Sequence, residues 1–135
     1  MMLPGLIVRS SSIHAAGCYT MRPIKKGVRV CEYDGPRMTK AVADARYEDR
    51  FVTYLFACGR NTVIDGFGAA MFINHCCDPN LRTTITYGHI LYFSKRAIRP
   101  GEELTVDYRF DDHVERVKCF CGSPQCRGQI NFKEK

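Results

Sequence analysis

Nine consecutive residues, Phe72 to Asn80, read F-I-N-H-C-C-D-P-N and constrain this chain more than any other stretch. They follow the apolar residues Ala69-Ala70-Met71 and put an Asn-His pair, two adjacent cysteines and a Pro-Asn turn into one short segment. The apolar flank points to burial, and a buried polar group left unsatisfied costs about 1–3 kcal/mol. The fold must therefore carry partners to these side chains from elsewhere in the chain.

A second group lies near the C-terminus. Cys119-Phe120-Cys121-Gly122-Ser123-Pro124-Gln125-Cys126 holds three thiols within eight residues. A structural zinc site takes four ligands in a tetrahedron, with Zn–S near ~2.3 Å. One ligand is missing, and the cysteines of the central stretch, Cys76 and Cys77, are its natural source. A shared metal would staple a tail without a core of its own onto Phe72–Asn80. Eight cysteines in 135 residues also suit a secreted disulfide scaffold. The opening residues, Met1-Met2-Leu3-Pro4-Gly5-Leu6-Ile7-Val8, carry no basic leader and no small-residue cleavage site, so they read as a first strand. Metal binding is expected instead, and the compartment stays open: intracellular, in the nucleus or cytoplasm of a eukaryote, or in a bacterial or viral setting. Cys18, Cys31 and Cys58 are expected as small core residues, and His14, His89 and His113 as surface or loop histidines.

Between these landmarks the chain reads as short strands. Leu6–Ser10 and Val28–Tyr33 are expected strands, with Ser11–Gly17 a loop and Asp34-Gly35-Pro36 a stop. Thr39–Phe51 is the one expected helix, with alanines at 41, 43 and 45 and Thr39 as its N-cap. Tyr54–Cys58 and Thr62–Asp65 flank Gly59-Arg60-Asn61 as a hairpin, as Arg82–Tyr87 and His89–Ser94 flank Gly88. Glu103–Val106 is a further short strand after Pro100-Gly101. Many short strands and one helix predict a mainly β (α+β) domain. Hydrophobic residues at 45% and charged residues at 25% suit one globular domain. No apolar run approaches the roughly 20 residues of a membrane span. No strand leads through a glycine-rich loop into a helix, so the usual cradle for a dinucleotide is missing. The net charge of +6 leaves acidic partners open, but the basic residues are scattered, with no block longer than Lys25-Lys26.

Three motifs, in order, resemble one family: the SET-domain protein lysine methyltransferases with a post-SET zinc segment. F-I-N-H-C-C-D-P-N is similar to the family's Asn-His-Ser-Cys-x-Pro-Asn motif. Gly101-Glu102-Glu103-Leu104-Thr105-Val106-Asp107-Tyr108 is similar to its Gly-Glu-Glu-Leu-Thr-x-Asp-Tyr motif, and Cys119–Cys126 to its post-SET cysteines. Glu32-Tyr33-Asp34-Gly35, Tyr54-Leu55-Phe56, Ile64-Asp65-Gly66 and Pro23-Ile24-Lys25-Lys26-Gly27 are weaker echoes. The likeness runs from about Leu6 to Gly128 and implies a SET domain over residues 1–112 and a post-SET segment over 113–135. It implies short curved sheets with a pseudoknot, S-adenosylmethionine as methyl donor and zinc as structural metal. Ala16, Gly17, Tyr54, Asn74, His75 and Phe120 would bind the cofactor, and Cys77, Cys119, Cys121 and Cys126 the zinc. Tyr108 would be the central catalytic residue, orienting the lysine amine, with Tyr33 beside it. Tyr33, Val106 and Phe110 would wall the lysine channel.

Several positions depart from the family pattern. Cys76 stands in place of its serine, Ala15 in place of the first glycine of a Gly-x-Gly loop, and Met71 where an arginine often precedes the central motif. Val106 stands where Tyr or Phe is usual, which predicts room for di- or trimethylation. No cysteine-rich segment precedes the SET-like region, so substrate choice is expected to rest on the chain's own surface or a partner. The resemblance implies a protein substrate, a histone tail or another basic protein, with nucleosome or DNA contact open through the basic surface and no membrane partner. The alternative is a SET-like protein- or chromatin-binding module, catalytically weak or inactive, which Ala15 and Met71 favour and intact Tyr108, Asn74 and His75 oppose. A zinc-stapled nucleic-acid-binding domain would need a concentrated basic face, and the scattered charges argue against it.

Overall fold

The computed structural model describes residues 2–47, 55–66, 68–108, 110–111 and 117–132, with the backbone alone at 110, 111 and 132. In chain order the elements are β1 (Leu6–Ser10), β2 (Ala16–Thr20), β3 (Arg29–Tyr33), β4 (Arg37–Thr39) and α1 (Lys40–Tyr47). Next come β5 (Leu55–Ala57), β6 (Thr62–Asp65), a 3-10 turn over Ala69–Phe72 and β7 (Asn74–His75). The chain ends with β8 (Leu81–Thr86), β9 (His89–Ser94), β10 (Thr105–Val106), β11 (Phe110–Asp111) and β12 (Asn131–Phe132).

The strands pair into small sheets: β3-β9-β8, β4-β6-β5, the hairpin β1-β2, and the two-residue pairs β7-β10 and β11-β12. The last two pairs are parallel and the others antiparallel. Strand β9 is central in its sheet and alternates as a half-buried strand should, turning Ile90, Tyr92 and Ser94 inward. An irregularity between Arg29 and Cys31 lets the neighbours Val30 and Cys31 of β3 both be buried. Ile90, Tyr92, Val30 and Cys31, with Cys18, Ile64, Leu81, Ile98 and Leu104, belong to one core. The mainly β expectation holds.

Helix α1 starts where the sequence places it. Thr39 Oγ1 accepts the N–H of Val42 at 3.2 Å, an N-cap bond. Among its residues only Ala43 is buried, so the small side chain lets the helix lie close on β4 and β6. The rest of the expected helix, residues 48–51, falls outside the described residues. Both expected hairpins form, and Cys18, Cys31 and Cys58 are buried.

Two expectations are corrected. The Ser11–Gly17 loop is shorter than predicted, because Ala16 and Gly17 open strand β2 opposite Ser10 and Arg9. Both residues have low strand propensity, and Gly17 has no room for a side chain because Glu103 crosses there: a Cβ on Gly17 would lie 2.4 Å from its Oε2. The strand predicted from Glu103 is regular only over Thr105–Val106, while Glu103 makes an isolated bridge to Tyr19.

The pair β7-β10 positions the site. It sets Thr105 beside Asn74 and Val106 beside His75, and Cys76 N–H extends it to the Val106 carbonyl at 3.0 Å. Parallel strands cannot be joined by a tight turn; here the β8-β9 hairpin occupies the crossover. Asn80 locks the arrangement, its Oδ1 accepting Thr105 N–H at 2.9 Å and its Nδ2 donating to the Glu103 carbonyl at 2.8 Å.

Candidate functional site

Asn74 is buried, and its Nδ2 lies 2.8 Å from Glu103 Oε2, 3.0 Å from the Ala16 carbonyl, 3.2 Å from Ser11 Oγ and 3.4 Å from the His14 carbonyl. One amide thus holds the whole turn between β1 and β2. Glu103 completes the clamp, accepting from Ser11 Oγ at 2.8 Å and lying 3.3 Å from the Tyr19 hydroxyl. Asn74 Oδ1 has no hydrogen-bond partner among the described residues, although the residue is only 6% exposed. A buried acceptor next to a backbone loop suits a bound molecule carrying an N–H donor such as an ammonium group. The donor set therefore fits the amino-acid end of S-adenosylmethionine, with Ala16, Gly17 and Asn74 brought together as the sequence predicts.

Ala15 turns the same loop at φ 28, a left-handed conformation that glycine adopts freely and alanine does not. The departure read from the sequence is thus a place of backbone strain.

His75 follows in β7, 3% exposed. Its Nδ1 accepts the backbone N–H of Tyr108 at 3.1 Å, so the ring proton sits on Nε2, which points to Cys77 Sγ at 3.4 Å. Burial pulls its pKa down to about 4, with Asp107 opposing and Arg127 adding to the fall. The ring is neutral at pH 7, so its 3.5 Å contact with Asp107 is no ion pair. Tyr108 is half-buried, its hydroxyl donates to the Ile73 carbonyl at 2.7 Å, and its ring centroid lies 5.5 Å from that of His75.

Tyr33 is buried in β3 with its ring 5.2 Å from Phe56 and 6.3 Å from Tyr92. Its hydroxyl fills the space where a side chain on Gly66 would stand, since a Cβ there would lie 2.4 Å away. Tyr92, wholly buried, lies behind it; burial drives its pKa up, with Tyr33, Cys31 and Tyr108 adding to the rise. Val106 is buried in β10. Tyr54 and His113 lie outside the described residues, as does the side chain of Phe110.

The four expected metal ligands converge. The Sγ atoms of Cys77, Cys119, Cys121 and Cys126 all lie within 4.8 Å of one another, with Cys77 3.7 Å from Cys119 and 4.0 Å from Cys126. These spacings far exceed a disulfide bond of about 2.05 Å. They match the S···S edge, about 3.8 Å, of a tetrahedron with Zn–S near ~2.3 Å. The donor set fits zinc, and Cys77 rather than Cys76 is the fourth ligand-competent thiol. Cys76 hydrogen-bonds to the Asp78 carbonyl instead, and burial lifts its thiol to about 11. Cys121 is shifted toward the thiolate: against the pull of burial, the backbone donors of Cys77 and Ser123 and the neighbouring thiols bring it down to about 6. Phe120 stands 62% exposed between two of these cysteines, with Lys118 Nζ 5.3 Å from its ring.

Three residues escaped the sequence reading. Glu103 was only a motif letter, and its role appears when β10 meets the β1-β2 turn. Arg127 and Asp107 form a forked pair, with both N–H···O distances 2.9 Å, and Arg127 Nε donates to the Asn131 carbonyl at 3.1 Å. The signal available was position: Arg127 follows the last cysteine and Asp107 precedes Tyr108.

Comparison with known proteins agrees with this geometry. The SET domain family matches residues 15–109, well over half of the chain. The chain is 39% identical over 132 residues to histone-lysine N-methyltransferase trithorax of Drosophila melanogaster, covering 90% of this chain and 4% of the fly protein. It is 40% identical over 137 residues to the H3 lysine-4 specific histone-lysine N-methyltransferase of Saccharomyces cerevisiae, and 39% identical over 136 residues to that of Candida albicans. Each alignment covers 90% of this chain and 13% of the yeast protein, so the chain spans a small part of the relatives it matches. With its motifs assembled on β7, β10 and the cysteine cluster, the chain belongs to the SET-domain family.

Proposed function

We propose that this chain is an S-adenosylmethionine-dependent protein lysine N-methyltransferase acting on a histone tail or another basic protein. The observation that carries the reading is the Tyr108 hydroxyl, anchored on Ile73 beside the buried Asn74-His75 pair and the Ser11–Gly17 loop. The names of the relatives support the reaction and the substrate class.

S-adenosylmethionine, when bound, supplies a methyl group on a cationic sulfur. The remaining requirements fall on the protein. A lysine amine must lose its proton before it attacks, and its free pKa is near 10.4. The apolar surroundings of Tyr33, Tyr92 and Val106 disfavour the ammonium form. Tyr108 orients the amine, with Tyr33 and Phe110 as channel walls, and alignment in the line of attack supplies much of the acceleration. The loop backbone at Ala16 and Gly17, with Asn74 and His75, would hold the cofactor, with Tyr54 assigned to its pocket and Phe120 to its adenine end. Cys77, Cys119, Cys121 and Cys126 would hold a zinc ion that ties residues 117–132 to the central stretch. We place the enzyme in the nucleus or cytoplasm, where cysteines stay reduced.

The test is methyl transfer from labelled S-adenosylmethionine to core histones and a lysine-peptide array. Tyr108→Phe should lower kcat by about 10²-fold while binding of S-adenosylhomocysteine and zinc content stay at wild-type levels. The small side chain of Val106 should allow two or three methyl groups, read by mass spectrometry of the product; strict monomethylation with excess enzyme would remove that assignment. Cofactor binding without transfer on any substrate would leave the binding-module reading, which the strain at Ala15 favours.

A further inference from the structure

The tail is tied to the catalytic strand by more than a metal. Arg127 donates its backbone N–H to Cys77 Sγ at 3.4 Å and grips Asp107 with both arms of its guanidinium, at 2.9 Å each. The fork is held in turn by the carbonyls of Asn131 and Ile130. Asp107 is joined by its peptide bond to Tyr108, whose N–H is bonded to His75 Nδ1, and the far nitrogen of His75 returns to Cys77 Sγ. The contacts close a ring: Cys77, Arg127, Asp107, Tyr108, His75 and back to Cys77. The Arg127 and Asp107 side chains are 26% and 17% exposed, so the pair is screened less than a surface ion pair. A forked guanidinium fixes both distance and direction, which a lysine cannot do.

We propose that Arg127 is a positioning residue that couples the cysteine cluster to Tyr108, so that the Asp107–Tyr108 peptide takes its working position only when the tail is docked. The coupling to Tyr108 rests on the methyltransferase reading; the coupling between Asp107 and the cluster does not. The coupling runs both ways. Asp107 reaches the cluster through Arg127, so its loss frees Arg127 and with it the backbone donor on Cys77. Partners that orient a metal ligand in this way are typically worth about 10–100-fold in metal affinity or activity.

The experiment compares Arg127→Met, Arg127→Lys, Asp107→Asn and the Arg127→Met/Asp107→Asn double variant in the zinc-loaded full chain. Zinc loss to a chromophoric chelator is followed alongside kcat, KM for S-adenosylmethionine, and thermal melting to confirm folding. Asp107→Asn and Arg127→Met should each release zinc about tenfold faster and lower kcat by a similar factor, with KM changed less than about twofold. The double variant should be no worse than the single ones, and Arg127→Lys should recover part of the loss. Tyr108→Phe, whose hydroxyl lies outside the ring, should keep the wild-type rate of zinc release. Wild-type zinc release in Asp107→Asn, or losses that multiply in the double variant, would overturn the proposal. If Arg127→Met does not fold, Arg127→Lys and Asp107→Asn decide it. A wild-type chain inactive on every substrate would sink the methyltransferase reading, and the zinc-release arm would still decide whether Asp107 and the cluster are coupled.

Discussion

Ala15 carries a conformation that its side chain opposes, at φ 28 on the turn clamped by Asn74 and Glu103. A left-handed alanine costs about 1–2 kcal/mol relative to glycine. Glycine in exchange gives back about 0.4–1 kcal/mol through the freedom of the unfolded chain. Ala15→Gly should therefore stabilise the protein by about 0.5–1 kcal/mol, a rise of a few degrees in melting temperature. Cofactor affinity should rise with it, measured by titration with S-adenosylhomocysteine; lower melting would show that the loop relaxes without strain. Single residues were legible in the sequence when their chemistry is rare. Asn74, His75 and the cysteines could be named because few residue types do what they do. Glu103, Asp107 and Arg127 could not, because a charged residue on the linear chain reads first as a solvated one. Only the meeting of distant segments shows what each one holds.

At the level of elements, the β8-β9 hairpin turns through Tyr87 and Gly88, at φ 49 and 75, with Thr86 opposite His89. Two positive φ angles in a two-residue loop define a type I′ turn, in which Asn-Gly is preferred. Gly88 announced the turn. Tyr87 did not, since an aromatic residue in that conformation is strained, and here it is 97% exposed with nothing to compensate in packing. Tyr87→Asn should stabilise the hairpin by about 0.5–1 kcal/mol, read from the urea midpoint at unchanged m-value; a lower midpoint would mean the ring has a use. Hairpins and the helix were legible because turn residues, alternation and an N-cap are local signals. Strand β2 was hidden because its Gly17 makes way for Glu103, a reason that lies far along the chain.

For the whole molecule, the tail is held by chemistry rather than by bulk. Among its described residues only Cys119 and Asn131 are buried. Its turn bonds, Cys119 to Gly128 and Ile130 to Val117, are local, and outward it reaches Cys77, Asp107 and, through the two-residue strand β12, strand β11. A strong chelator should therefore loosen residues 117–132 while β3, β8 and β9 stay protected, as hydrogen exchange would show. Acid should do the same, because the metal binds thiolates and protonation releases it. Equal loss of protection in both regions would mean that the metal supports the core as well. The meeting of the tail cysteines with the central stretch was legible from cysteine spacing, whereas the register of β7 against β10 was not, since two-residue strands carry no periodicity.

That parallel pair has a consequence for how the protein comes into being. Neither β7 nor β10 can persist alone, and each finds its partner only after the chain between them has turned back on itself through β8 and β9. The Asn74-His75 pair therefore meets Tyr108 only once this pairing has formed, and on the methyltransferase reading competence to react follows from the finished topology. A chain halted one step short could hold nearly all its strands and still be chemically silent.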